Sequence, residues 1–295
     1  MKLTELLSGI ETLQRAGAPE TDITSLGFDS RHATAGQLFF AVKGSASDGH
    51  DYMAQATANG AAAVVCERLP EEPFPGVAYI VVADSSAALG TIASRFYGEP
   101  SHKLKLVGVT GTNGKTTTAT LLYDLFRRLG YKAGLISTVV YRIDNETLPS
   151  THTTPDAIRL NAMLAEMAER GCDYCFMEVS SHSIVQERIA GLTFAGGIFT
   201  NITHEHLDYH GTFAEYIRAK KRFFDRLLKG AFALVNADDR NGAVMVQNSA
   251  ATTYTYALRS FSDFRCRILE NTPEGMLLEL DGQQVWTRFL GRVNA

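Results

Sequence analysis

Between Leu104 and Leu129 an apolar run, a glycine-rich turn and an amphipathic stretch follow one another without a break, and few folds accept that succession. Leu104 to Val109 reads as a buried strand. Thr110-Gly111-Thr112-Asn113-Gly114-Lys115-Thr116-Thr117 comes next, and Lys115 to Leu129 has helical spacing. A strand that turns through glycines into a helix N-terminus offers backbone N–H groups and partial positive charge to an anion, so the loop predicts a bound phosphate. Gly111, Thr112, Asn113, Gly114, Lys115, Thr116 and Thr117 would then wrap a nucleoside triphosphate. Lys115 would reach the β- and γ-phosphates and the Thr116 hydroxyl would ligate Mg²⁺, which makes ATP with Mg²⁺ the expected ligand. The general pattern asks for a glycine five residues before Gly114. Val109 stands there, and the glycine lies one place earlier, at Gly108, so the loop is read from Gly108 to Thr117.

A chain of 295 residues with 45% hydrophobic content can build two packed domains. Its net charge of −4 comes from interspersed acidic and basic residues, which argues against a nucleic-acid or anionic-membrane surface and for small-molecule partners. Met1 to Leu13 lacks the basic start and unbroken apolar stretch of a secretory signal, and no apolar run approaches the roughly 20 residues that span a bilayer. A cytoplasmic monomer is expected. Of the cysteines, only Cys172 and Cys175 have a metal-like spacing, and they sit in what reads as a buried strand with no second pair, so a zinc site is not expected.

Apolar strands alternate with amphipathic helices along most of the length, which predicts α/β architecture with a mostly parallel sheet in the second domain. Strands are expected at Ala61 to Cys66 and Tyr79 to Ala83, with a helix from about Ser85 to Phe96 capped by Asp84 or Ser85. Gly, Pro and polar residues from Tyr97 to Lys103 read as a linker, placing one domain at 1–100 and the next at 104–295. In the second domain a helix is signalled with Thr154 as N-cap and Pro155 at its first position. Strands follow at Tyr174 to Val179, Gly197 to Thr200 and Phe232 to Asn236, with a helix at about Phe213 to Lys229.

Gly108-Val109-Thr110-Gly111-Thr112-Asn113-Gly114-Lys115-Thr116-Thr117, offset glycine included, resembles the ATP loop of the Mur ligases and their folylpolyglutamate synthetase relatives. Further segments carry the resemblance over nearly the whole chain. Asp29-Ser30-Arg31, the run Gly36 to Gly44 and Asp48-Gly49-His50 are similar to the uridine-nucleotide domain of that family. His152-Thr153-Thr154-Pro155, Met177-Glu178-Val179-Ser180-Ser181-His182, His206-Leu207-Asp208-Tyr209-His210-Gly211, Tyr216 and Lys220 look most like the UDP-N-acetylmuramoyl-tripeptide synthetase type.

The resemblance implies a small N-terminal α/β domain that binds the uridine nucleotide through Phe28, Ser30, Ser45, Ala46 and Ser47. A central domain would hold the muramoyl-dipeptide through His152, Thr153, Thr154, Ser180, Gln186 and Arg188. Lys115, Glu178, His206 and Lys220 are implied to be catalytic, with Thr116, Glu178, His206 and Lys220 about Mg²⁺. Lys220 would act as a carbamate formed from CO₂, with Lys221 as the alternative if the register slips by one. Read from the residues alone, Lys220 is a solvated surface charge among basic neighbours, and Ser30 and Ser45-Ala46-Ser47 are ordinary polar turns. Glu178 at the carboxyl end of a strand near the loop suits a hard cation, and His204, His206 and His210 cluster without the sulfur partners of a zinc site.

The implied activity is amide formation: ATP phosphorylates the carboxylate of UDP-MurNAc-L-Ala-D-Glu, and the amine of meso-diaminopimelate or lysine attacks the acyl phosphate. Family members continue into a third domain that binds the amino acid, so this chain is expected to stop short of it and to ligate poorly alone. A nucleotide-binding regulator and a folylpolyglutamate synthetase are the competing readings, the latter disfavoured by the Asp29-Ser30-Arg31 domain ahead of the loop.

Overall fold

The structure, a computed structural model, describes residues 1–17, 20–44, 47–205, 207–280 and 282–289. It divides into two compact units, 1–101 with 155–166 and 186–192, and 102–154 with 167–185 and 193–295.

In the first unit five strands lie in the order Gln14–Ala16, Ala78–Val81, Ala63–Cys66, Gln37–Phe40, Ser25–Gly27, parallel except for the first pair. Alternation sends successive side chains to opposite faces. Leu38, Phe40, Ala63, Val65 and Ile80 meet Leu89, Ile92 and Ala93 of helix Ser85–Phe96 on one face, while Phe39, Val64, Cys66 and Tyr79 meet Met53 and Ala56 on the other. The helix runs where its spacing predicts, and the Asp84 carboxylate caps it by accepting from Ala87 N at 2.9 Å.

The second unit is built on an eleven-stranded sheet. Its interior is parallel, with Lys105–Thr110 between Gly196–Phe199 and Tyr174–Glu178. Antiparallel strands flank it on both sides: the hairpin Val140–Ile143 with Glu146–Pro149, and the meander Phe264–Thr272, Gly275–Leu280, Gln283–Thr287. The α/β, mostly parallel expectation therefore holds, and these antiparallel margins are additions to it. Helix Lys115–Arg128 covers one face, packing Ala119 and Tyr123 against Val107, Val109, Leu135, Phe176 and Ile198.

Helix Ala157–Glu169 starts later than its sequence signals suggest. Asp156 is the residue that caps it, accepting from Arg159 N at 3.0 Å, and the Thr154 hydroxyl instead donates to the Glu178 carbonyl at 2.8 Å. A helix N-cap and a strand-end carbonyl compete for threonine, and the tertiary partner won.

Candidate functional site

The loop glycines have separate causes. Gly108 lies inside the strand rather than in the loop, and a Cβ there would come within 2.6 Å of Phe223 Cζ and 2.9 Å of Val179 Cγ2. The glycine that looks misplaced against a phosphate-loop pattern is thus a packing glycine, and Val109 beside it is wholly buried. Gly111, at φ +152°, is the first loop residue, where a Cβ would stand 1.9 Å from Thr200 Oγ1. Gly114, at φ +86°, takes the left-handed turn into helix Lys115–Arg128.

Asn201 and Thr200, just beyond strand Gly196–Phe199, brace this loop. Thr112 N donates to Asn201 O at 2.7 Å, Asn113 N to Asn201 Oδ1 at 2.9 Å, and Thr200 Oγ1 to Asn113 O at 2.7 Å. The Thr112 hydroxyl accepts from Thr203 N at 2.9 Å and lies 3.3 Å from the Tyr216 hydroxyl. Thr117 sits exposed in the first helical turn.

Lys115 Nζ curls back to the carbonyls of Gly111 at 3.0 Å and Thr112 at 2.8 Å. Lys220 arrives from helix Phe213–Asp225 and donates to the same Gly111 carbonyl at 2.8 Å, 4.8 Å from the centre of the Tyr216 ring. It is 1% exposed, which removes the solvated-surface reading. Burial holds the Lys220 amine well below the ordinary lysine range, and the neighbouring Lys115 lowers it further against the opposing charge of Glu205. Burial lowers Lys115 as well. Lys221 points elsewhere, pairing with Asp225 at 2.5 Å, so Lys220 is the lysine brought to the loop.

Glu178 ends its strand with a carboxylate that is almost fully buried. Its Oε1 accepts from the Thr116 hydroxyl at 2.8 Å and from Thr138 N at 2.7 Å. The Thr116 hydroxyl and the Glu178 carboxylate are adjacent oxygen donors, the donor type that Mg²⁺ takes. The hydroxyl and carboxylate present thus fit a hard divalent cation. Among the described residues no group of three or more His, Cys, Asp or Glu converges on a metal-sized space.

The remaining predicted residues fall in two places. Thr153, Thr154 and Ser180 stand beside Glu178: Thr153 Oγ1 is 3.1 Å from Thr138 Oγ1, and Thr154 Oγ1 lies 3.4 Å from Ser180 N. His152 is exposed, its backbone carbonyl accepting from the Tyr141 hydroxyl at 2.6 Å. Gln186 and Arg188 belong to the first unit, where the guanidinium donates to Gln186 Oε1 at 2.9 and 2.6 Å. Ser30 is buried there, donating to Gln55 Oε1 at 2.7 Å, near the exposed Phe28 in sequence. The Ser47 carbonyl accepts from Gly44 N at 2.9 Å. Ser45, Ala46 and His206 lie outside the described residues. His204 stacks on Phe213, and His210 Nε2 is 2.9 Å from Ser181 Oγ.

Residues 109–295 match the Mur ligase middle domain. The chain belongs to the Mur ligase family. Residues 22–97 match the Mur ligase family catalytic domain as well. Over 295 residues this Mur ligase chain is 55% identical to the UDP-N-acetylmuramoyl-L-alanyl-D-glutamate–2,6-diaminopimelate ligase of Bacteroides thetaiotaomicron, covering 100% of itself and 61% of that protein. It is 42% identical to the ligase of the same name from Geobacillus thermodenitrificans, over 95% of itself and 58% of the relative. A solved structure of a ligase with that name superposes with a TM-score of 0.85 at 27% identity, covering all of this chain and 61% of the other. The chain therefore spans about three fifths of the length of these relatives.

Sequence reading of this Mur ligase passed over Thr138, Thr200 and Asn201. Thr138 follows strand Ala133–Ile136 with no motif around it, and only the pairing of that strand with Tyr174–Glu178 puts it beside Glu178. Asn201 had a usable signal, since polar residues just past a parallel strand next to the loop strand belong to the ligand end of such a sheet.

Proposed function

We propose that the protein containing this chain is an ATP-dependent ligase that joins 2,6-diaminopimelate to UDP-N-acetylmuramoyl-L-alanyl-D-glutamate in building peptidoglycan precursors. The observation that carries this reading is the meeting of Lys115 and the buried Lys220 on the Gly111 carbonyl of the same loop whose Thr116 hydroxyl donates to Glu178. Such an arrangement suits the transfer of a phosphoryl group, whose charge needs a cation such as Lys115 and a held divalent ion beside it. The names of the relatives supply the acceptor and the amino acid.

In this reading Lys115 leaves the Gly111 and Thr112 carbonyls for the β- and γ-phosphates of ATP. The γ-phosphoryl passes to the terminal carboxylate of the dipeptide, releasing ADP. The amine of the amino acid then attacks the acyl carbon, forms the amide, loses a proton and expels inorganic phosphate. Thr116, Glu178 and His206 would hold Mg²⁺, which would supply charge neutralisation at the phosphates. Thr153, Thr154, Ser180, His152, Gln186 and Arg188 hold the muramoyl-dipeptide. Ser30, whose proton is given to Gln55, keeps lone pairs for a uracil N–H. Phe28, Ser45, Ala46 and Ser47 are the further residues proposed for the uridine nucleotide. On this basis residues 1–100 form the uridine-nucleotide domain, residues 104–295 the ATP domain, and the protein works in the cytoplasm as a monomer.

Lys220 is the proposed carbamate. Its lowered pKa favours the neutral amine, which adds to CO₂ to give Lys–NH–CO₂⁻ and a proton, turning a cation into an oxygen ligand. Carbon-13 NMR after equilibration with labelled bicarbonate should show one carbamate signal that the Lys220→Met variant lacks.

The ligase reading is tested by thermal shift with UDP-MurNAc-dipeptide, Mg-ATP and folates. Ligands that bind only the folded state raise its midpoint, so the first two should stabilise and folates should not. A response to ATP alone would favour a nucleotide-binding regulator, and a response to folates would favour a folylpolyglutamate synthetase.

A further inference from the structure

The carboxylate of Glu178 accepts at both oxygens from one residue that no motif contains. Thr138 donates its backbone N–H to Oε1 at 2.7 Å, and its hydroxyl lies 3.2 Å from Oε2. That hydroxyl is also 3.1 Å from Thr153 Oγ1. A hydroxyl carries one proton, and an ionised carboxylate can only accept. The Thr138 proton therefore goes to Glu178 Oε2, and Thr153 donates to Thr138, so the chain of bonds runs in one direction from Thr153 to Glu178.

The terminal torsion of a glutamate is broad and two-fold, so an unrestrained carboxylate can turn either oxygen, or both, toward a cation. With Oε2 held by Thr138, only Oε1 remains on the side of the Thr116 hydroxyl, 2.8 Å away. One oxygen from the carboxylate suits a small octahedral ion, whereas a carboxylate free to offer both suits the larger and more flexible shell of Ca²⁺.

We infer that Thr138 is a positioning residue that makes Glu178 a one-oxygen ligand, selects Mg²⁺ over Ca²⁺ at the phosphate loop, and ties that ligand to Thr153. This rests on the ligase reading, in which Thr116 and Glu178 meet the cation and Thr153 meets the muramoyl-peptide. Substitution leaves the backbone N–H bond in place, so Thr138→Val removes only the hydroxyl's contacts, with Glu178 Oε2 and with Thr153 Oγ1. Thr138→Ser retains them.

The test is ATP binding by titration calorimetry at a fixed nucleotide concentration, with Mg²⁺ or Ca²⁺ varied, in wild type, Thr138→Val and Thr138→Ser. Thr138→Val should raise the Mg²⁺ concentration for half-maximal binding about tenfold, as loss of a group that orients a metal ligand commonly does. Its Ca²⁺ response should stay within about twofold, and Thr138→Ser should behave as wild type. An unchanged Mg²⁺ response in Thr138→Val, or an equal weakening with both ions, overturns the positioning role while leaving the ligase reading intact. Wild-type ATP binding that ignores both ions overturns the ligase reading and this inference together.

Discussion

The side-chain amines of Lys115 and Lys220 donate to one acceptor, the carbonyl oxygen of Gly111, at 3.0 and 2.8 Å. Two amine donors thus share one buried carbonyl, and they are brought there by two separate helices. In the proposed ligase reading, a phosphate entering the loop would meet both amines.

Lys115→Met should weaken Mg-ATP binding about 10- to 100-fold, because charge-assisted hydrogen bonds contribute roughly 1.5–3 kcal/mol. Titration calorimetry measures it. Binding equal to wild type would remove Lys115 from the nucleotide site.

Lys220 ties stability to pH. Its folded pKa lies below the ordinary value of 10.5, so between the two values the unfolded chain binds more protons and stability rises with pH. Lys220→Met lacks that slope. Thermal midpoints measured from roughly pH 7 to 10 should therefore move in favour of wild type as pH rises, and parallel curves would contradict a buried, depressed amine.

Gly111→Ala would force a side chain into a left-handed backbone and against Thr200 Oγ1. A loss of about 2–4 kcal/mol in urea unfolding is expected, together with loss of ATP binding, since the loop must shift to accept the methyl group.

In the first unit Asp48 is held well below the usual carboxylate range, chiefly by the backbone N–H of His50, with the His50 ring and Arg68 adding to it against burial. His50 Nε2 accepts from Glu67 N at 2.8 Å, so its proton sits on Nδ1 and is donated to Asp48 at 2.6 Å. A depressed carboxylate stabilises the fold above its unfolded pKa of 3.8 and loses that contribution as pH falls toward its folded value. Asp48→Asn should thus be less stable than wild type near neutrality, with the difference shrinking below about pH 4 in urea titrations.

Much of this architecture could be read in advance. Ser85 to Phe96 announces a helix through Asp84 and its apolar spacing, and Leu104 to Leu129 announces a strand, a phosphate loop and a helix, because these signals are local. The short first-unit strands Gln14–Ala16 and Ser25–Gly27, three residues each, carry too little pattern to announce themselves. In the meander, strands Phe264–Thr272 and Gln283–Thr287 alternate weakly and are largely exposed, so they lack the apolar contrast that marks a strand.

The residues of the phosphate loop, their order and the helix that follows were determined by the sequence itself, since glycine conformation and helix spacing act over a few residues. Which glycine serves the loop was decided only by tertiary structure: Gly108 is there for Phe223, and Gly111 for Thr200. The same holds for Lys220, a surface charge by its neighbours in sequence and a buried donor in the fold, and for Thr138, whose partner Glu178 is forty residues away. Burial and partnership at long separation depend on which strands pair and which helix covers them, and no local spacing encodes that.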